Sequence, residues 1–410
     1  MAEETPFGFR LRALRQQRGL SQAALAGEEI STGYLSRLES GARQPTERVI
    51  AYLAQRLGVD RSAFFAPPSS SSLSRAVSIA ASTDGDEAVE HLVDVLATAP
   101  DEDPLLRWHA LWLIAGFRHR RGERAEERAC LEELAQLAEG LALPELQCRS
   151  RTRLAHCLRS EGLLPQALEL ALSAYQVAKR ADLSVADTGK ALQTLVSVEA
   201  EAGRLPDARS HADELVRLMA DRPEVPRAEA LWSAATVRSR QGEDEDARAY
   251  IQRAMSVLDS RDDPVLWARL RLAAASLYLQ ARPPLTEAAR ACLAEAQAAL
   301  LLVGTPLQQQ ELLALQAHLA FEEGRFGDAR TALDQLDVDA MVLGYRDRIR
   351  LKTLDSLLLI TEGDRERGLA QLKRLGEEAH RASNMDLAAE IWRVLAEALE
   401  KAGRDDAAVA

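Results

Sequence analysis

Apolar residues at helical spacing mark four consecutive elements at the start of the chain. Phe7, Leu11 and Leu14 share one face and predict a helix from Phe7 or Gly8 to Gln17, with Gly19 just past its end. Ser21 caps a short helix, Gln22 to Ala26, built around Leu25. Ser31 caps a third, Thr32 to Ser40, with Leu35 and Leu38 inward and Gly41 closing it. Thr46 caps a fourth with Val49, Leu53 and Leu57 inside and Gly58 as its stop, and a last turn, Arg61 to Phe65, lids this core. Ala66-Pro67-Pro68 and the four serines after it neither pack nor extend a helix. Residues 66–72 therefore read as a linker between a small domain, 1–65, and a body, 73–410.

The body is periodic. A glycine followed five positions later by a small residue recurs at Gly162/Ala167, Gly203/Ala208, Gly242/Ala247, Gly324/Ala329, Gly363/Gly368 and Gly403/Ala408, with related turns at Gly85, Gly122 and Arg282. The intervals between these turns run from 37 to 42 residues, the signature of stacked helical hairpins. Each hairpin hides its apolar face only against its neighbours, so the array forms a curved right-handed superhelix with a groove.

Composition agrees with an all-α chain: aromatics are 4% of the 410 residues, too few for sandwiches or barrels built on aromatic and β-branched strands. The net charge of -12 is unevenly placed. Residues 1–65 carry nine Arg against seven Asp/Glu, net +2, and the remainder carries -14. A nucleic-acid site belongs in the first segment. The longest apolar runs, near Trp108 to Phe117 and Ala298 to Val303, fall well short of the ~20 residues that span a bilayer, and the opening MAEETPFGFRLR has no apolar signal core. A cytoplasmic protein without membrane contact is expected. Cys130, Cys148, Cys157 and Cys292 include no CxxC pair and read as reduced, packed thiols.

Catalytic and cofactor signatures are weak. Cys148, His156 and Cys157 do not have the i, i+4 spacing that converges on a metal, and Gly189-Lys190 lacks the glycine a phosphate loop needs. GxSxG, GxGxxG and HExxH are absent. No metal, no cofactor and no enzymatic activity are expected.

The first segment resembles the Xre/Cro/CI helix-turn-helix family through LRALRQQRGLSQAALA, YLSRLESGARQPT and LAQRLGV. Only Gly27 to Ile30 separate its second and third helices, a shorter turn than such domains usually carry. The resemblance implies a five-helix domain that binds duplex DNA in pairs, with the third helix in the major groove. Ser31, Thr32, Gly33 and Arg37 would then face base edges, Arg37 taking guanine bidentately. Gln22, Tyr34 and Arg43 match positions that touch the phosphate backbone in that family, and Arg15 with Glu39 matches its structural ion pair.

The body resembles tetratricopeptide repeats lengthened from 34 residues. That family needs a small residue seven positions before each turn, and the chain supplies Ala115, Ala155, Val196, Ala235, Ala275, Ala317, Ser356 and Ala396. The resemblance places groove residues thirteen, ten, six and three before the turn: His109, Trp112, Gly116 and His119; Arg149, Thr152, His156 and Arg159; Lys190, Gln193, Ser197 and Ala200; Glu229, Trp232, Thr236 and Ser239. Within a domain of net charge -14 this stretch is polar and mostly basic. The expectation is an anionic or carboxylate-bearing effector, a short peptide or small molecule, with Arg149, Arg159 and Lys190 holding charge and Trp112 and Trp232 clamping an apolar part.

The two-part layout resembles the peptide-pheromone receptor regulators of Gram-positive bacteria, which implies a ligand-responsive, quorum-sensing transcriptional regulator that forms homodimers on a dyad operator. Those receptors often grip peptide backbone with groove asparagines, whereas the single asparagine here, Asn384, lies outside the expected groove. The alternative is a DNA-tethered scaffold whose repeats recruit or sequester a partner protein.

Overall fold

Capping side chains set the first helix boundaries. Ser21 and Ser31 accept hydrogen bonds from Ala24 N–H and Tyr34 N–H, both at 3.1 Å, and between and around them run α1 (Pro6–Gln17), α2 (Gln22–Ala26), α3 (Thr32–Glu39) and α4 (Glu47–Leu57), followed by a 3₁₀ turn at Arg61–Phe64. Thr46 occupies the cap of α4 without a side-chain bond, and Gly58 ends it with a left-handed backbone. Phe7, Leu11, Leu25, Leu35, Leu38, Leu53, Leu57 and Phe64 form one core. The short α2–α3 turn closes through Gly27: its φ is +58° and a Cβ there would meet Tyr52 Oη at 2.5 Å. That hydroxyl in turn donates to the Ala26 carbonyl at 2.9 Å.

The computed structural model describes residues 6–65, 72–83, 85–98, 103–336 and 341–409, and all regular elements among them are helical. They group into two compact units, residues 1–78 and 79–410. Of the expected linker, Ser72 opens α5 (Ser72–Ser82), and the rest lies outside the described residues.

After α5 come α6 (Asp86–Thr98) and then the hairpins α7/α8 (Pro104–Arg121, Arg124–Leu141), α9/α10 (Pro144–Glu161, Leu164–Arg180), α11/α12 (Val185–Glu201, Leu205–Met219) and α13/α14 (Glu224–Arg240, Asp244–Val257). Further hairpins are α15/α16 (Pro264–Gln280, Thr286–Val303), α17/α18 (Pro306–Glu322, Phe326–Asp334) and α19/α20 (Tyr345–Thr361, Arg365–Arg381), and α21 (Met385–Val409) ends the array. First helices start on local signals: Asp103, Ser184 and Asp263 cap α7, α11 and α15, and Thr305 with Gln308 makes a capping box on α17.

Seven of the small residues expected at close helix crossings, from Ala115 to Ser356, are buried to 1% exposure or less. The eighth expectation fails: α21 runs through Gly403 without turning, and Ala396 is exposed. Among the described residues no further helix follows α21 to complete a hairpin, so Ala396 is not at a close crossing and the helix continues through Gly403.

The array also closes on itself. The turns inside the early hairpins α7/α8 and α9/α10 meet the last repeats, so that a Cβ on Gly162 would lie 2.6 Å from the Tyr345 ring and one on Gly122 2.6 Å from Val342. Charged groups fill the rest of this seam. Arg159 and Arg240 reach Glu201 at 2.6 and 3.8 Å, Arg240 reaches Asp386 at 3.3 Å, and Arg346 binds Asp386 at 2.6 Å. Arg350 continues the chain to Glu390 at 2.9 Å. No helix among the described residues is long and apolar enough to cross a membrane.

Candidate functional site

In the first unit α3 presents Ser31, Thr32, Gly33 and Arg37 to solvent, and a Cβ on Gly33 would meet nothing within 4 Å. Arg37 rests along the helix with Nε donating to the Gly33 carbonyl at 3.1 Å. Tyr34 is half-buried against the core, and the Arg43 guanidinium lies 5.4 Å from its ring centre. Arg15 binds buried Glu39 through two bonds of 2.6 and 3.1 Å, and Gln22 Nε2 donates to the same carboxylate at 2.8 Å. Gln22 is thus committed to the domain's interior on its nitrogen side, a role its assignment to phosphate did not include. Burial pushes Glu39 up, but the bonds from Arg15 and Gln22 outweigh it and hold the carboxyl below the usual range.

In the second unit the first helices of successive hairpins enclose a cavity of about 730 Å³. Of the expected groove residues, His109, Trp112, Arg149, Thr152, His156, Arg159, Lys190, Gln193, Ser197, Ala200, Glu229, Trp232 and Thr236 line it. Gly116, His119 and Ser239 do not. His119 turns away because its Nδ1 pairs with buried Glu127 at 3.0 Å. Gly116 leaves room instead: the Arg153 guanidinium fills the space where its Cβ would stand, 3.0 Å away.

The electrostatics differ from expectation. Each expected charge carrier already has a carboxylate from the next repeat: Arg149 with Asp187 at 2.7 Å, Arg159 with Glu201 at 2.6 Å and Lys190 with Glu229 at 2.5 Å. The tryptophans are engaged as well. Trp112 stacks on Trp108 at 5.2 Å and under Arg153 at 4.7 Å, and Trp232 lies 5.3 Å from Arg269. Six Arg/Lys side chains line the cavity against three carboxylates, and among the described residues Arg153 and Arg269 have no carboxylate in ion-pairing range. These two, which the spacing argument missed, are the cations left for an anion. His156 opens onto the lumen, but loss of hydration there and then the charge of Arg159 and His119 push its pKa well below the usual imidazole value. It is neutral at pH 7.

A second cavity of about 300 Å³ continues the lumen toward the last repeats, sharing Trp232 and Arg269 with the first as a partition. Its walls include Leu272, Ala314, Leu315, Leu354, Leu357 and Val394, with Glu311, His318 and Asp347 among them. The same offsets counted from Arg282, Gly324 and Gly363 reach twelve residues, of which Arg269, Leu272, Ser276, Leu279, Glu311, Ala314, His318, Arg350, Thr353 and Leu357 line it and Phe321 and Ile360 do not. The same periodic signal therefore extends beyond the four repeats of the expected groove.

Among the described residues no group of three His, Cys, Asp or Glu is arranged to hold a metal. Burial raises the thiols of Cys148 and Cys157 to about 11 and about 12, so Cys148, at the cavity wall, is an unreactive packing group. Asn384 lines neither cavity and is buried at the start of α21.

Comparison with known proteins places both units. The family described as a helix-turn-helix domain matches residues 6–64, and the MalT-like TPR region matches residues 72–382. The HTH-type transcriptional regulator PrpR of Mycobacterium tuberculosis (strain ATCC 25618 / H37Rv) is 40% identical over 87 residues, which is 21% of this chain and 17% of that protein. The chain thus spans less than a fifth of that relative. Among solved structures, the Rap conjugation gene regulator of plasmid pLS20 in complex with the Phr* peptide aligns with a TM-score of 0.55 at 13% identity, over 93% of this chain and 97% of that one. A Rap protein complexed with competence and sporulation factor aligns with a TM-score of 0.52 at 9% identity, over 97% and 98%. At such identities the likeness is one of fold. With well over half of its length matched, the chain belongs to the MalT-like TPR family and joins that repeat array to a helix-turn-helix domain.

Proposed function

We propose that the protein is a sequence-specific transcriptional regulator in which residues 1–65 bind operator DNA and the repeat body binds an effector in its lumen. The observation that carries this reading is the pairing, in one chain, of a recognition helix with a free leading face and an open, cation-rich cavity of about 730 Å³. PrpR, the relative of the first segment, is a transcriptional regulator by name, and a Rap regulator of the same fold as the body holds a peptide. In this reading Ser31, Thr32, Gly33 and Arg37 meet bases, while Tyr34, Arg43 and the free face of Gln22 meet phosphates. A head this small gains useful affinity in pairs, so the body dimerises on a dyad operator in the cytoplasm. An effector bearing a carboxylate sits near Arg153 and Arg269, and binding shifts the body between two shapes that differ in operator affinity.

Selection of bound fragments from the native genome tests the reading. A dyad sequence with salt-sensitive affinity is expected, and Arg37→Ala should weaken it by about tenfold or more while leaving non-specific binding in place. Recovery of fragments with no shared sequence would overturn it.

A further inference from the structure

The second compartment is less cationic than the first: four arginines and four carboxylates line it. Arg350 is held by Glu390 at 2.9 Å and Gln280 at 2.5 Å and Arg393 by Glu397 at 2.7 Å, while Arg269, shared with the first cavity, lies against the Trp232 ring with no carboxylate in ion-pairing range among the described residues. The fourth, Arg282, faces Glu322. Glu311 on α17 and Asp347 on α19 are left over. Neither has a hydrogen bond or ion pair among the described residues, and they lie close enough for the charge of Asp347 to act on Glu311. Two neighbouring carboxylates against leucine walls are a poor arrangement for an empty protein and a good one for a cation with a hydrocarbon body.

We propose that this compartment is a binding site for a primary organic amine, its ammonium held between Glu311 and Asp347 and its hydrocarbon on Leu315, Leu354 and Leu357. The volume of about 300 Å³ suits one compact molecule. Burial raises Glu311 to about 7 and also raises Asp347, so at pH 6 the empty site holds a proton on Glu311 that an incoming ammonium displaces. The other ionisable groups facing this pair are Arg269 on α15, Arg124 on α8, His318 on α17, and Arg346 and Arg350 on α19. Glu201 on α11 and Arg159 on α9 act on Asp347 from across the seam. His318 is held down to about 4 by burial and stays neutral through the same range.

The test is calorimetric titration of the full chain, without DNA, with 2-phenylethylamine, 2-phenylethanol and 3-phenylpropionate. The amine should bind and the alcohol and acid should not. At pH 6 the heat should vary with the ionisation enthalpy of the buffer, reporting a released proton. Glu311→Gln and Asp347→Asn should each weaken amine binding by about tenfold or more, as loss of a charged hydrogen bond requires. Glu366→Gln, an exposed change on α20 outside both cavities, should leave it unchanged. Equal binding of the alcohol or acid, undiminished amine binding in both variants, or no binding to the parent chain would each overturn the proposal. Because no operator is present, these outcomes are independent of the regulatory reading, which stands or falls on the selected DNA.

Discussion

Glu39 shows how one buried acid ties a small domain together. At 4% exposure it takes bonds from α1 through Arg15 and from α2 through Gln22, so three helices meet on one carboxylate. Arg15→Ala would leave that charge buried without its main partner, at a cost of about 3–5 kcal/mol. Amide exchange across residues 6–64 should then approach that of an unfolded segment, while exchange in the repeats stays as in the parent. Glu311 gives the opposite pH behaviour. Its carboxyl is raised by burial to about 7, so between the ordinary carboxylate range and that value the folded chain holds a proton the unfolded chain has lost. Stability therefore falls as pH rises through this window. Glu311→Gln removes the penalty. The melting temperature of the variant should match the parent near pH 4.5 and exceed it by several degrees at pH 8, as read by scanning fluorimetry.

Turn glycines separate two kinds of constraint that look alike in the sequence. Gly162 and Gly242 both have left-handed backbones, φ +85° and +77°, but a Cβ at Gly242 would meet open space while one at Gly162 would strike the Tyr345 ring. Gly242→Ala should cost only the conformational penalty, about 1–2 kcal/mol. Gly162→Ala should cost clearly more, and comparing the two melting temperatures isolates the seam. Hairpins, their turns and the inward faces of their first helices were legible because each repeat restates the same offsets. What the sequence hid was aperiodic. The carboxylates opposite Arg149 and Arg159, Asp187 and Glu201, lie off the groove offsets in the next repeat and are set by how the hairpins stack, and Arg153 enters the cavity where Gly116 vacates a space across the helix pair. The run of α21 through Gly403 was equally hidden, since a glycine that turns one hairpin is tolerated in a helix with no partner to meet.

Arg240 and Asp386 stand 146 positions apart and join α13 to α21, a contact that an array held only by its neighbours would not make. Around them Arg346 Nη1, Arg240 Nη1 and both polar atoms of the Asn384 side chain are buried without hydrogen-bond partners, so the junction is polar and incompletely satisfied, unlike the leucine-packed hairpins. Unsatisfied buried groups of this kind lower the cost of parting the junction relative to a fully paired one. Asp386→Ala should widen the array, raising its radius of gyration in solution scattering and exposing the α20–α21 connection to trypsin, with the hairpins themselves intact. An open solenoid would answer a guest by stretching a little at every step, as a coil spring does. A hoop fastened at a single seam yields less gradually, opening where the seam parts, so under the proposed regulatory reading an effector in the lumen would be read out as two states.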